Sequence, residues 1–151
     1  MRTSGADDEV GSHIHGAYAG QNGGVVIGLQ QDANDAGHWS VVEEQFDEVG
    51  LADYLAGRLY VNLHTPAVGS GEIRGQIAPR DIQVVFTDMS GDQVVPPVVT
   101  EASGKAATTT NLRTRSMVAF VNTQGADDAT GAGIHVGDAG ANGAEILALQ
   151  Q

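Results

Sequence analysis

The chain has no cysteine, one tryptophan and, at Lys105, a single lysine in 151 residues. Without thiols there is no disulfide framework, no iron–sulfur cluster and no thiolate zinc site. The missing thiols leave the compartment open, because secreted proteins can dispense with cysteine too. Aromatic residues make up 5% of the chain, so a core must be built mainly from Val, Ile, Leu and Ala. Positive charge is scarce as well: seven Lys and Arg face nineteen Asp and Glu, for a net charge of -12. That balance argues against nucleic acid and anionic membrane surfaces as partners. It suits a secreted or salt-adapted protein. No run approaches the ~18 consecutive apolar residues of a membrane span. The opening residues, Met1 to Asp8, hold no apolar h-region and do not read as a signal peptide, so the chain is expected to be either cytoplasmic or a processed piece.

What is present is repetition. Shifted by 120 residues, Thr3–Gln31 lies over Thr123–Gln151 without a gap, and 15 of the 29 positions are identical. Composition alone accounts for roughly two to four such matches. The chain therefore reads as one period, 1–120, followed by the start of a second, 121–151, that repeats 1–31. A strand-bearing segment cannot bury its face alone. One copy is expected to pack into the chain's own core. The other is redundant and unpacked, is completed by another chain, or belongs to a longer tandem array.

Between glycine-rich turns the sequence reads as short strands: Val25–Leu29, Trp39–Val42, Leu59–His64, Glu72–Ile77, Gln83–Thr87, Lys105–Leu112 and Met117–Val121. Leu59–His64 alternates, with Leu59, Val61 and Leu63 on one side and Tyr60, Asn62 and His64 on the other. Pro96 and Pro97 exclude a central strand there and predict an edge or a kinked crossover. One short helix is expected over Leu51–Ala56, stopped by Gly57. The predicted fold class is all-β, an antiparallel Greek-key sandwich or barrel with one short helix.

Histidines supply the chemistry. His13 and His15 flank Ile14 in a predicted strand, so both imidazoles leave one face, about 7 Å apart at Cα. His64 belongs to the non-core set of its own strand. Three imidazoles on one sheet surface can hold copper or zinc with a position left open; the bland reading is polar residues on a solvated face. In the second copy Gly133 replaces the first histidine, so only the first copy can hold a complete site. His38, beside Trp39 after a turn, reads as a loop residue. Arg74 is predicted on an outer strand face, either attracting a small anion or pairing with Glu72. Asp7-Asp8-Glu9 and Asp127-Asp128 read as solvated loops without calcium-loop spacing.

The runs Ser12-His13-Ile14-His15-Gly16, Leu59-Tyr60-Val61-Asn62-Leu63-His64-Thr65 and Gly71-Glu72-Ile73-Arg74-Gly75-Gln76-Ile77 together resemble the C-terminal part of a CHRD (chordin-type) domain. Gln93-Val94-Val95-Pro96-Pro97-Val98, with Ala102-Ser103-Gly104-Lys105-Ala106, is similar to its N-terminal part. The C-terminal portion comes first, a circularly permuted phase of the family's domain. The resemblance implies an all-β module, extracellular or at the cell surface and often in tandem. The histidine pattern with Arg74 is also similar to the copper site of copper/zinc superoxide dismutases. That similarity implies His13, His15 and His64 as copper ligands and Arg74 as anion guide, with no counterpart for the zinc half.

Two functions follow. The first, ranked ahead because it rests on the repeat, is a module that forms a homo-oligomer or filament head-to-tail, one subunit completing the β-domain of the next. The second is a copper-binding, superoxide dismutase-like redox protein.

Overall fold

The computed structural model describes residues 11–41 and 46–150. The acidic run Asp7-Asp8-Glu9 and the end of the Trp39–Val42 strand lie outside them. Among the described residues, ten strands and one α-helix make the architecture all-β and antiparallel. Strands β1 (Gly11–Gly16), β2 (Val25–Asp32) and β3 (Asp35–Ser40) form a meander. The chain then crosses through α1 (Glu48–Leu55) to β4 (Leu59–His64) and β5 (Ile73–Ile77). The sheet order is β3-β2-β1-β4-β5, so the fourth strand returns beside the first in a Greek key. The return puts β1 between β2 and β4 and brings the two histidine-bearing strands together.

Helix α1 starts earlier than its apolar spacing predicts because Asp47 caps it, its carboxylate accepting from the Gly50 amide at 2.7 Å. Gly57 follows the helix at φ 72°. A Cβ there would lie 2.7 Å from Ile82 Cγ2, so the turn needs glycine both for its backbone and for the close approach of the next sheet.

That next sheet is β6 (Ile82–Ser90), β7 (Ser103–Asn111) and β8 (Ser116–Gln124), in the order β6-β7-β8. It meets the first sheet at Gly20, whose missing Cβ lets Ala107 and Phe120 approach, and at Gly57, beside Ile82 and Thr109. The segment around Pro96 and Pro97 crosses between β6 and β7 with no strand of its own, and the Val95-Pro96 bond is cis.

Small residues let the core close. Ser12 stands opposite Leu29 on one side and Leu63 on the other, fully buried, its hydroxyl donating to Asn62 O at 3.2 Å. Leu29 and Leu63 pack with Trp39. Beside this cluster Val61, Leu63, Ile73 and Ile77 line an open hollow of about 360 Å³.

The last two strands, β9 (Ala132–His135) and β10 (Glu145–Leu149), form a separate two-stranded sheet. They repeat the β1–β2 hairpin bond for bond. Val136 N donates to Ala144 O at 3.0 Å as Gly16 N does to Gly24 O at 3.0 Å. Both hairpins shift register at the same place, with His135 opposite Glu145 and His15 opposite Val25. The difference is in the partner: β4 covers the free edge of β1, and no strand among the described residues covers that of β9.

Candidate metal centre

The register of β1 on β4 sets Gly11 against His64, His13 against Asn62 and His15 against Tyr60. One face therefore carries His13 and His15 on β1, with Tyr60, Asn62 and His64 on β4. The three imidazoles converge: one nitrogen from each lies within 4.8 Å of the others. Ring centroids are 5.0 Å apart for His13 and His64, 5.6 Å for His15 and His64 and 5.7 Å for His13 and His15. This is the only such group of histidine, cysteine or carboxylate side chains among the described residues.

The alternation of β4 predicts a solvated outer face, but loops cover it. Gly23 N donates to the Tyr60 hydroxyl at 3.1 Å, and Asn62 Nδ2 donates to Ser70 O at 3.2 Å. Tyr60 and Asn62 are buried, as is His15, while His13 and His64 are half-buried. Strand β4 is thus buried on both faces.

The same loops orient the rings. His15 Nδ1 lies 2.9 Å from Gly23 O, and His64 Nδ1 lies 2.9 Å from Gly69 O. A carbonyl only accepts, so each Nδ1 carries the proton and each Nε2 keeps a lone pair. Both Nε2 atoms are buried without a hydrogen-bond partner, and so is Nδ1 of His13. Buried polar atoms left unpaired are costly. Three rings that each hold an unpaired buried nitrogen, and that bring one nitrogen each within 4.8 Å of the others, fit a metal ion, and second-sphere carbonyls that fix the tautomer are the usual support of histidine ligands.

Burial, then the neighbouring His64 and His15 rings, push the His13 imidazole below the ordinary histidine range. His13 is therefore neutral at pH 7 and available as a ligand. A histidine whose pKa falls on folding stabilises the fold above its unfolded value and loses that contribution as pH falls through its folded value. The His13 ring is accordingly expected to titrate with a midpoint below about 6.5, read from its C2 proton by NMR. Metal affinity is expected to fall steeply on acidification through the same range.

Arg74 does not pair with Glu72. Its guanidinium donates to the backbone oxygens of Gln21 and Tyr18, to Asn22 Oδ1 at 3.4 Å and to Gln76 Oε1 at 2.9 Å. It lies over the Tyr60 ring, 3.4 Å from the centroid, and Tyr60 stacks on His15 at 5.0 Å with an interplanar angle of 15°. Burial pushes its pKa down and the Tyr60 phenol pulls it back up, yet arginine stays cationic at every physiological pH. These hydrogen-bond acceptors are all neutral, so its charge stays available to attract an anion. Through Asn62, Arg74 and His13 sit in one row across three strands, about 10 Å apart at the backbone.

His38 is on strand β3 rather than in a loop, 3.8 Å from an Asp32 carboxylate oxygen, and stands outside the triad. Tyr60, Gly23, Gly69 and Gly71 support the triad; the alternation of β4 marks Tyr60 in the sequence by setting it on the His64 face, and no periodicity marks the three glycines. Gly71 has φ 118°, and a Cβ there would lie 2.2 Å from Asn62 Nδ2. Gly71→Ala is expected to destabilise the fold by roughly 1–3 kcal/mol in thermal or urea unfolding. It is also expected to weaken metal binding by displacing the loop that holds His64.

No helix among the described residues is long and apolar enough to cross a membrane. No curated protein and no solved structure matches the chain. The family description "CHRD domain" matches residues 1–77 and again residues 85–151. Almost the whole length is covered, and the chain belongs to the CHRD domain family.

Proposed function

We propose that this chain is an extracellular CHRD module that binds copper through His13 Nδ1, His15 Nε2 and His64 Nε2 and disproportionates superoxide there. The observation that carries this reading is the set of three unpaired, converging imidazole nitrogens, two with tautomers set by backbone carbonyls. All-nitrogen imidazole donors without thiolate suit copper(II) and zinc. Copper supplies one-electron chemistry between Cu(II) and Cu(I): one superoxide is oxidised to O2 and a second, with two protons, is reduced to H2O2. The protein's part is to hold three neutral donors in place, to keep Tyr60 packed against His15 and to present the Arg74 charge to an incoming anion. The test is calorimetric titration with Cu(II) followed by a superoxide assay. One tight equivalent and a dismutation rate that falls on Arg74→Gln and at high salt support the reading. No binding, or a rate equal to that of free copper, contradicts it.

A second reading, assembly through the repeated hairpin, is favoured by its bare edge and by exposed Val136, Ile146 and Leu147. A two-stranded hairpin is marginal alone, and an open edge pairs readily with another chain. The two functions are compatible in one subunit.

A further inference from the structure

The fold holds one slot beside β4 and the chain holds two hairpins built for it. We propose that the histidine triad is a metal-operated latch: metal shared by His13, His15 and His64 keeps the chain's own β1–β2 hairpin on β4, and without metal the β9–β10 hairpin of a second copy competes for that place. This inference rests on the metal-binding reading of the triad.

The two hairpins are alike in backbone. His135 Nδ1 lies 3.1 Å from Gly143 O, as His15 Nδ1 lies 2.9 Å from Gly23 O, so the second hairpin reaches the same conformation with no further strand among the described residues paired to it. Paired with a β4 strand in the β1 register, Ile134 would face Val61 as Ile14 does. Tyr18 stands 5.8 Å from the guanidinium of Arg58, which is ion-paired with Asp53, and the second hairpin carries Asp138 at the Tyr18 position, so the exchange would set a second carboxylate beside this arginine.

What separates the hairpins is the ligand set. Ala132 replaces Ser12 and gives up the bond to Asn62 O, while Gly133 replaces His13 and gives up one imidazole. The incoming hairpin brings His135 alone, making two ligands with His64 where the native pairing makes three. Two of the three native ligands ride on β1 and the third on β4, so tight metal binding requires β1 to stay on β4. Metal at about 100 times its Kd then shifts the balance toward the native hairpin about a hundredfold.

The test uses the full chain in EDTA and with saturating Zn(II), which is redox-inert, followed by light scattering over a concentration series. Concentration-dependent oligomers in EDTA that revert to monomer with Zn(II) are expected. His13→Ala should assemble equally in both conditions. Gly133→His, which restores the third ligand to the second hairpin, should weaken the Zn(II) effect. Because there is no native cysteine, Val61→Cys with Ile134→Cys gives a clean bismaleimide crosslink for the exchanged register. Crosslinked dimers in EDTA, at least tenfold fewer with Zn(II), are expected. A monomer at every concentration in EDTA, crosslinking only within single chains, or unchanged oligomers with Zn(II) that calorimetry shows to be bound would overturn the latch and leave the metal site standing. Absence of Zn(II) and Cu(II) binding in calorimetry would overturn both.

Discussion

His64→Ala is expected to lower copper affinity a hundredfold or more while leaving the protein folded. The loss of one imidazole from three removes a direct bond to the metal, and even second-sphere partners of metal ligands change affinity by about 10–100-fold. The fold should tolerate the change because His64 ends β4, is half-buried and donates to one loop carbonyl, Gly69 O. Its buried Nε2, unpaired without metal, costs stability, and that cost leaves with the ring. Parallel calorimetry and thermal unfolding check both halves: a large change in Kd with a metal-free Tm shifted by a few degrees. An unchanged Kd would place copper elsewhere.

Tyr60→Ala is expected to have the largest effect on stability, about 3–5 kcal/mol, with Tm lower by roughly 10 °C or more. The ring is 2% exposed and lies between the Arg74 guanidinium and the His15 imidazole, while its hydroxyl accepts from Gly23 N. Truncation opens a cavity in the wall of the site, frees Arg74 and removes one anchor of the loop that orients His15. Tyr60→Phe keeps the stack and loses only the hydroxyl, so a cost of about 1 kcal/mol is expected. Urea unfolding of the pair separates ring packing from hydrogen bonding. Equal effects of the two substitutions would show that the stack carries no weight.

Much of the site was legible because strand period is a short-range signal. The H-x-H spacing placed two rings on one face of β1, and the alternation of β4, whose bounds are as expected, placed Tyr60, Asn62 and His64 together. Their meeting was less legible, since it depends on the Greek-key return that sets Gly11 opposite His64 across 53 positions of chain. The loops were harder still. Glycine-rich turns such as Gln21–Gly24 and Val68–Gly71 show no periodicity, yet they cover the face expected to be solvated and set the histidine tautomers. Arg74 shows the same limit. Glu72 was the acidic neighbour visible in sequence, whereas the actual partners are Gln76 and residues 18–22, the latter brought near by β1 lying beside β4.

The second hairpin was legible in the 120-residue self-match, and Gly133 marked it as lacking a ligand. The structure adds that the copy keeps its own hydrogen bonds while leaving an edge bare. A glycine substitution at one ligand position thus leaves the hairpin's shape intact and removes its chemistry.

The most direct measurement is electron paramagnetic resonance of the chain with one equivalent of Cu(II), comparing the parent with His13→Ala. The account predicts a single signal split by three equatorial nitrogens in the parent, replaced in the variant by a different, weaker-binding species. A signal without nitrogen splitting, or one identical in the two proteins, would contradict the assignment of the triad as the metal centre.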